Sequence, residues 1–157
     1  MNSFEIGAYK NEVMYQILAD QETVRLLDPG EEFEYLDQLL YDRIFPYGRI
    51  PSTEQEVKSY ITVTCDVKEL SRNNNLIRYV QLIVRVIAHV QIMQVPGQSI
   101  NRIDLLSARM DKALNGSNRF GIGPLSIVSN KEYTMDKNHF YRELVFETPG
   151  LNLAQCG

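Results

Sequence analysis

A run of apolar residues, 78–93, restricts the possible fold more than any other part of this sequence. It reads RYVQLIVRVIAHVQIM, and most of its apolar residues are Val or Ile. Arg78, Gln81, Arg85 and His89 recur at roughly helical intervals, so a helix is one interpretation. A strand is favoured because β-branched side chains suit strands. Alternate residues also form an unbroken apolar face: Val80, Leu82, Val84, Val86, Ala88, Val90 and Ile92.

The same run does not have the composition of a membrane span. A span needs about 20 predominantly apolar residues, and this run carries Arg85 and His89 near its centre. The first residues, MNSFEIGAYKNE, lack the basic start and apolar stretch of a secretion signal. The two cysteines, Cys65 and Cys156, do not suggest a disulfide framework. We therefore expect a protein that is made in the cytoplasm and does not enter a membrane.

A long β-hairpin follows from the residues before this run. Residues 60–68 alternate apolar and polar side chains, as a half-buried strand does, and a polar turn at 71–75 joins them to the run. A strand of sixteen residues would reach about 53 Å at about 3.3 Å per residue. A compact chain of this length is only about 40 Å across. The strand must either bend within the monomer or project and be covered by a neighbouring chain.

The remaining patterns predict helices and a second hairpin. Apolar periodicity indicates helices over 9–28, 32–44 and 101–115, the last with Asn101 as its N-cap and Gly116 after its end. Strands are predicted around 125–133 and over 139–147. The predicted fold is α+β: an antiparallel sheet with a long β-hairpin packed against one or two helices, in the order α-α-β-β-α-β-β. We expect one domain over 1–148 and a loose C-terminal arm over 149–157.

No sequence pattern points to catalysis, a cofactor or a metal. His89 and His139 lie 50 residues apart without ligand-type neighbours, and Cys65 lies in the middle of a predicted strand. The segment GIGP, 121–124, precedes a strand, whereas a phosphate-binding loop leads into a helix. The net charge of −4 argues against nonspecific nucleic-acid binding, which requires surplus Lys and Arg. We predict no catalytic, cofactor-binding or metal-binding residues.

The order of elements, together with four segments, resembles the tail terminator (tail completion) proteins of long-tailed bacteriophages. The segments are ILADQETVRLL, IFPYGRIPSTEQEVKSYITV, RIDLLSARMDKALNG and YRELVFET. The resemblance covers nearly the whole chain but includes no catalytic signature. It implies a small α/β virion protein that forms a ring, generally a hexamer, on the end of the tail tube.

This resemblance implies partners and a location. The ring would stop tube polymerisation and would contact the tail tube protein on one face and head–tail connector proteins on the other. Genomic DNA would pass through its channel. The expected location is the virion tail or neck, after assembly in the host cytoplasm. Two alternatives stay open: another neck protein, such as a head-completion, stopper or adaptor protein, and a small ligand-binding or enzymatic α+β domain.

The contacts between ring subunits are predicted from the mixed face of the long strand and from the tip of the hairpin. Such contacts would shelter a ribbon that is longer than its own domain. The predicted oligomer or partner interface consists of Arg72, Asn73, Asn74, Asn75, Tyr79, Gln81, Arg85 and His89. The competing interpretation is an ordinary solvated sheet face.

Overall fold

One five-stranded sheet organises this computed structural model, which describes residues 3–71, 74–117 and 124–151. The strands lie in the order β1-β2-β3-β5-β4. β1 pairs with β2 in parallel, and the other neighbours are antiparallel. The bounds are β1 (Ile44–Phe45), β2 (Ser59–Ser71), β3 (Asn74–His89), β4 (Ser126–Thr134) and β5 (His139–Leu151).

The predicted long hairpin is present as β2 and β3. β3 contains 16 residues and pairs with β2 on one side and with β5 on the other. It ends at His89, four residues earlier than predicted, because a 3₁₀ turn over Val90–Ile92 follows. The His89 ring caps that turn by accepting a hydrogen bond from the Gln91 amide. The strand is therefore the centre of the sheet over most of its length.

Three helices pack on one face of the sheet: α1 (Ser3–Leu18), α2 (Gln21–Leu27) and α3 (Arg102–Leu114). The main core lies between these helices and the inward side chains of the strands. Leu82, Val84 and Val86 of β3 and Phe146 of β5 are fully buried there. At about 25 cal/mol per Å² of apolar surface, this layer is the main source of folding free energy.

The prediction of a single helix over 9–28 was wrong at one point. Asp20 interrupts it, because its carboxylate accepts a hydrogen bond from the Thr23 amide and so starts α2 as an N-cap. α1 also begins earlier than predicted, at Ser3.

The prediction of a helix over 32–44 was wrong. Only a 3₁₀ turn, Leu36–Leu39, and the short β1 occur there. Two side chains in this region accept hydrogen bonds from backbone amides and hold the chain in a non-helical conformation. Asp28 accepts from the Glu32 and Phe33 amides, and Gln38 accepts from the Glu34 and Tyr35 amides. Such local bonds compete with helix formation.

The predictions for α3 and the second hairpin are confirmed. Asn101 caps α3 by accepting from the Asp104 amide, and Gly116 has φ +78° after the helix end, where glycine avoids the penalty of a Cβ. β5 continues beyond the predicted end to Leu151, and the backbone of 149–151 pairs with 77–79 of β3. Three residues of the predicted arm are thus in the sheet, and 152–157 lie outside the described residues.

The predicted α+β class is confirmed. The element order differs by the extra strand β1, and the two N-terminal helices both derive from the first predicted helix. Among the described residues, no helix is long and apolar enough to cross a membrane.

Candidate assembly surface

The face of the sheet opposite the helices forms a half-buried strip, which we call the open face. Because side chains alternate along a strand, residues between the core positions of β3 and β5 point to this side. Within the described residues, no helix packs over it. The open face consists of Thr64, Gln81, Ile83, Arg85, Glu143, Val145 and Glu147.

Cross-strand pairs between β3 and β5 organise the open face. Gln81 Nε2 donates to Glu147 Oε1 at 3.0 Å, and Arg85 Nε donates to Glu143 Oε2 at 2.8 Å. Ile83 and Val145 are directly opposite each other between these two polar pairs. The apolar pair is thus flanked on one side by an ion pair and on the other by an amide–carboxylate hydrogen bond.

One end of the same side is closed by a segment that we call the cover, residues 46–58. Beneath it, Phe45, Tyr60 and Ile87 form a second small apolar cluster. The Arg49 guanidinium lies 4.9 Å from the Phe45 ring centre and 4.8 Å from that of Tyr60. Tyr60 Oη donates to the Arg49 carbonyl at 3.1 Å. Cation–π contacts and a hydrogen bond therefore hold the cover on the sheet.

The charge of Arg49 is balanced inside the cover. Its Nη2 donates to Glu56 Oε1 at 2.5 Å, and Glu56 Oε2 accepts from the Ser52 amide at 2.8 Å. Burial acts to raise the pKa of Glu56, but hydrogen bonds from Arg49, Ser52 and Lys58 outweigh it and lower the pKa to about 2. Arg49 Nη1 is buried without a hydrogen-bond partner.

Two buried histidines hold the far end of the cover. The rings of His89 and His139 meet edge to face, with centres 4.9 Å apart. Nε2 of His89 lies 3.1 Å from the Glu54 carbonyl oxygen, and Nε2 of His139 lies 2.8 Å from that of Glu56. Asp136 lies 3.0 Å from the other nitrogen of His139. These ring nitrogens all lie within hydrogen-bonding distance of neighbouring segments. The two histidines therefore fasten the cover to the sheet, and we call the pair the latch.

The cover and the residues just before it expose large apolar side chains. Ile50 is 74% exposed and Tyr41 is 63% exposed, and Tyr47 and Val57 are also exposed. Tyr41 has φ +64°, a left-handed conformation that is strained for a bulky residue. Its amide donates to the Ile44 carbonyl at 2.8 Å, which holds the strained turn. Strain and exposed aromatic surface together are typical of binding segments.

Two kinds of reactive site can be examined among the described residues, a metal cluster and a reactive thiol. They contain no group of three His, Cys, Asp or Glu side chains that could hold a metal ion. Burial raises the pKa of Cys65 to about 11, which leaves its thiol protonated and unreactive near neutral pH.

The predicted interface residues do not lie together on one surface of the structure. Gln81 and Arg85 lie on the open face, whereas His89 is only 2% exposed and serves the latch. Asn74, Asn75 and Tyr79 lie on the backbone of β3. Arg72 and Asn73 lie outside the described residues.

Sequence reasoning missed the residues that pair with this face. Glu143 and Glu147 are four residues apart, as are Arg85 and Gln81, and both sets lie on strands. That matched spacing was a visible signal. It could not be used without knowing that β3 and β5 are neighbours, since β4 and α3 separate them along the chain.

Comparison with known proteins adds a family and a fold. A sequence profile of the YomW family matches residues 14–148, which is most of the chain. The chain belongs to the YomW family. No curated protein matches it. Among solved structures, a chain from "Virion of native gene transfer agent (GTA) particle" has a TM-score of 0.58 and 17% sequence identity, and the match covers 89% of this chain and 92% of that one. At this identity the match shows that the YomW-family chain shares the fold of that particle's chain.

Proposed function

We propose that this YomW-family chain is a structural protein of a phage-type virion and has no catalytic activity. Within the virion, it would form a ring, most simply a hexamer, on the end of the tail tube. The ring would stop tube growth and join the tube to the head connector. The observation that carries the proposal is the fold match to a virion chain, which spans 92% of that chain and 89% of this one.

The surfaces described above support a role in assembly. A ring forms when one patch on each subunit binds a different patch on the next and the rotation closes. The open face supplies an apolar pair flanked by an ion pair and a hydrogen bond. The cover supplies exposed Ile50 and Tyr47, and Tyr41 lies exposed just before it. A net charge of −4 per chain would also give a hexamer about −24, which would discourage passing DNA from adhering.

The first experiment measures the size and shape of the purified chain. Six copies of an 18.1 kDa chain have a mass of about 109 kDa, which light scattering after gel filtration resolves from the monomer. Negative-stain images of that fraction should show annular particles. A protein that stays monomeric at high concentration, and also when tail tubes are added, would refute the ring.

A second experiment separates a terminator from another neck protein. The chain is added to polymerising tail tube protein, and tube length is measured by electron microscopy. A terminator should bind tube ends and shorten the length distribution in proportion to its concentration. A ring that binds the isolated head connector and leaves tube length unchanged would assign the chain to the neck instead.

Variants of surface residues test whether the open face forms a contact between ring subunits. Ile83→Glu places a charge in the apolar pair with Val145 and should abolish ring formation without unfolding the monomer. Glu12→Lys, at an exposed position of α1, also changes one side chain and should leave the ring intact. Rings of normal size from the Ile83→Glu protein would exclude the open face as a contact.

A further inference from the structure

A cleft with three arginines lies between α2 and α3, away from the open face and the cover. Its volume is about 320 Å³, and Arg25, Arg102 and Arg109 line it. The rest of the wall is largely apolar, including Leu26, Val95 and Leu105. A concave, half-apolar site with convergent cationic groups is typical of a ligand or side-chain binding site.

Two of the three arginines are already neutralised. Arg109 Nε donates to Asp20 Oδ2 at 2.8 Å, and a second bond joins Arg109 Nη2 to the same carboxylate. Arg25 forms a surface ion pair with Glu22, one turn away on α2. Neither arginine brings an uncompensated charge to the cleft.

Arg102 is different because its charge has no counter-ion. The residue is only 3% exposed. Its Nε donates to the Ile92 carbonyl at 2.7 Å and its Nη1 to the Leu26 carbonyl at 2.5 Å. Within the described chain, Nη2 makes no hydrogen bond and no carboxylate pairs with the guanidinium. Burial lowers the pKa of Arg102, and no acidic group opposes that effect.

A buried cation without a counter-ion is costly even when carbonyls accept some of its hydrogen bonds, and a carboxylate placed against it would recover part of that cost. Guanidinium groups bind carboxylates through geometrically matched hydrogen bonds. Only one charge in the cleft is unbalanced, and the wall around it is largely apolar. That arrangement suits one carboxylate on an apolar segment better than a phosphate chain, which requires an extended basic surface.

The chain itself carries such a segment at its surface. Glu31, Glu34 and Asp37 are exposed and form no ion pair within the described residues. Between them, Tyr35 is 61% exposed and Leu36 is 55% exposed. We propose that the arginine cleft is a carboxylate-binding site, and that in the assembly it receives an acidic side chain from segment 31–37 of a second copy. The source of the carboxylate rests on the proposed self-assembly, whereas the affinity of the cleft for carboxylates does not.

The first test probes the site in the full chain by NMR. ¹⁵N-labelled protein is titrated with N-acetyl-glutamate amide, with its glutamine analogue and with inorganic phosphate, and the Arg102 Nε–H signal is followed. The glutamate compound should shift this signal saturably and the glutamine compound should not. Absence of a saturable shift, or an equal response to phosphate, would overturn the carboxylate site.

Glu22→Gln sharpens this test without disturbing the buried arginine. It frees the exposed Arg25, so affinity for the glutamate compound should rise about 2- to 5-fold, the range for one surface ion pair. Glu12→Gln makes the same change in net charge on α1, outside the cleft, and should leave the affinity unchanged. Equal effects of the two variants would show that only net charge matters.

The second test identifies the source of the carboxylate. The triple variant Glu31→Gln/Glu34→Gln/Asp37→Asn is compared with wild type by sedimentation velocity over a range of concentrations. It should self-associate more weakly, and Glu22→Gln should self-associate more strongly. Rings that form normally from the triple variant would overturn this occupant while leaving the proposed function standing. A wild-type chain that binds glutamate but never oligomerises would keep the site and refute the ring.

Discussion

Leu82, Val84 and Val86 are fully buried beneath the helices, whereas Gln81, Ile83 and Arg85, which alternate with them along β3, are only half-buried. The same strand thus belongs to two environments. On the helix side, contact is apolar and close-packed. On the other side, the open face combines cross-strand polar pairs with the half-buried Ile83 and Val145, and the described residues form a buried apolar cluster at the end under the cover. The helix-covered face therefore buries more apolar surface, and we expect it to contribute more to the stability of the fold than the half-buried positions of the open face.

The largest expected change in the free energy of unfolding comes from substituting two adjacent residues of β3, one on each face of the sheet. Leu82→Ala should lower the free energy of unfolding by about 3–4 kcal/mol, because it leaves a cavity in a close-packed core. Ile83→Ala should cost about 1 kcal/mol or less, since its side chain already contacts solvent. Urea denaturation of both variants measures the difference. Equal losses would mean that the two faces are packed alike.

The next largest expected loss of stability lies beneath the cover, at one end of the same side of the sheet as the open face. Tyr60→Ala should cost about 3 kcal/mol, because Tyr60 is fully buried and stacks against Arg49. Tyr60→Phe keeps the ring and removes only the hydrogen bond to the Arg49 carbonyl, so its cost should be about 1 kcal/mol. Denaturation midpoints check both values. A negligible effect of Tyr60→Ala would show that the cover is not part of the folded unit.

Acid should lower the free energy of unfolding through two carboxylates, one at the start of α2 and one in the cover, in the same pH range. Hydrogen bonds from Arg109 hold the pKa of Asp20 at about 2, and Glu56 within the cover also has a pKa of about 2. The pKa of each carboxylate is lower in the folded than in the unfolded state. Each therefore stabilises the fold at pH values above its ordinary pKa, near 4, and loses that contribution as the pH falls toward 2.

Asp20→Asn and Glu56→Gln test this assignment. Each should cost about 1 kcal/mol at neutral pH, after allowance for solvent screening, and clearly less near pH 2, where about half of each carboxylate is protonated in the folded state. Thermal melts at several pH values measure the change. Glu12→Gln, at an exposed site on α1, serves as the control and should follow the wild-type curve. A cost that persisted undiminished at pH 2 would exclude the charge as its origin.

The smallest expected change in the free energy of unfolding comes from a substitution on the open face. Arg85→Ala removes the pair with Glu143 and should change the free energy of unfolding by about 0.5 kcal/mol, as half-exposed ion pairs usually do. A double-mutant cycle with Glu143→Ala isolates the pairing energy. A coupling energy of several kcal/mol would indicate a buried structural pair and would contradict our description of this face.

Much of the fold was predictable from local patterns. The alternation in 60–68, the β-branched run after it and the Asn101 cap depend on neighbouring residues, so the sequence predicts them directly. The helix over 32–44 could not be rejected in this way. Its amides are bound by the side chains of Asp28 and Gln38, and apolar spacing contains no information about those bonds.

The candidate site was less predictable than the fold. Gln81 and Arg85 could be assigned to the mixed face of β3 by counting alternate positions. That His89 is buried, and that Arg102 lacks a counter-ion, depends on segments far away in sequence. The predicted interface role of Gln81 and Arg85 stays a prediction, which the ring variants above would test.

Local patterns in the sequence specify α3, the four long strands and which side each strand residue faces, because propensity, capping and alternation act between residues that are close along the chain. Only the tertiary structure decided which strands are neighbours, which side of the sheet the helices cover and which charges find partners. Those outcomes depend on contacts between distant residues, whose energies depend on burial and distance and do not appear in any local pattern.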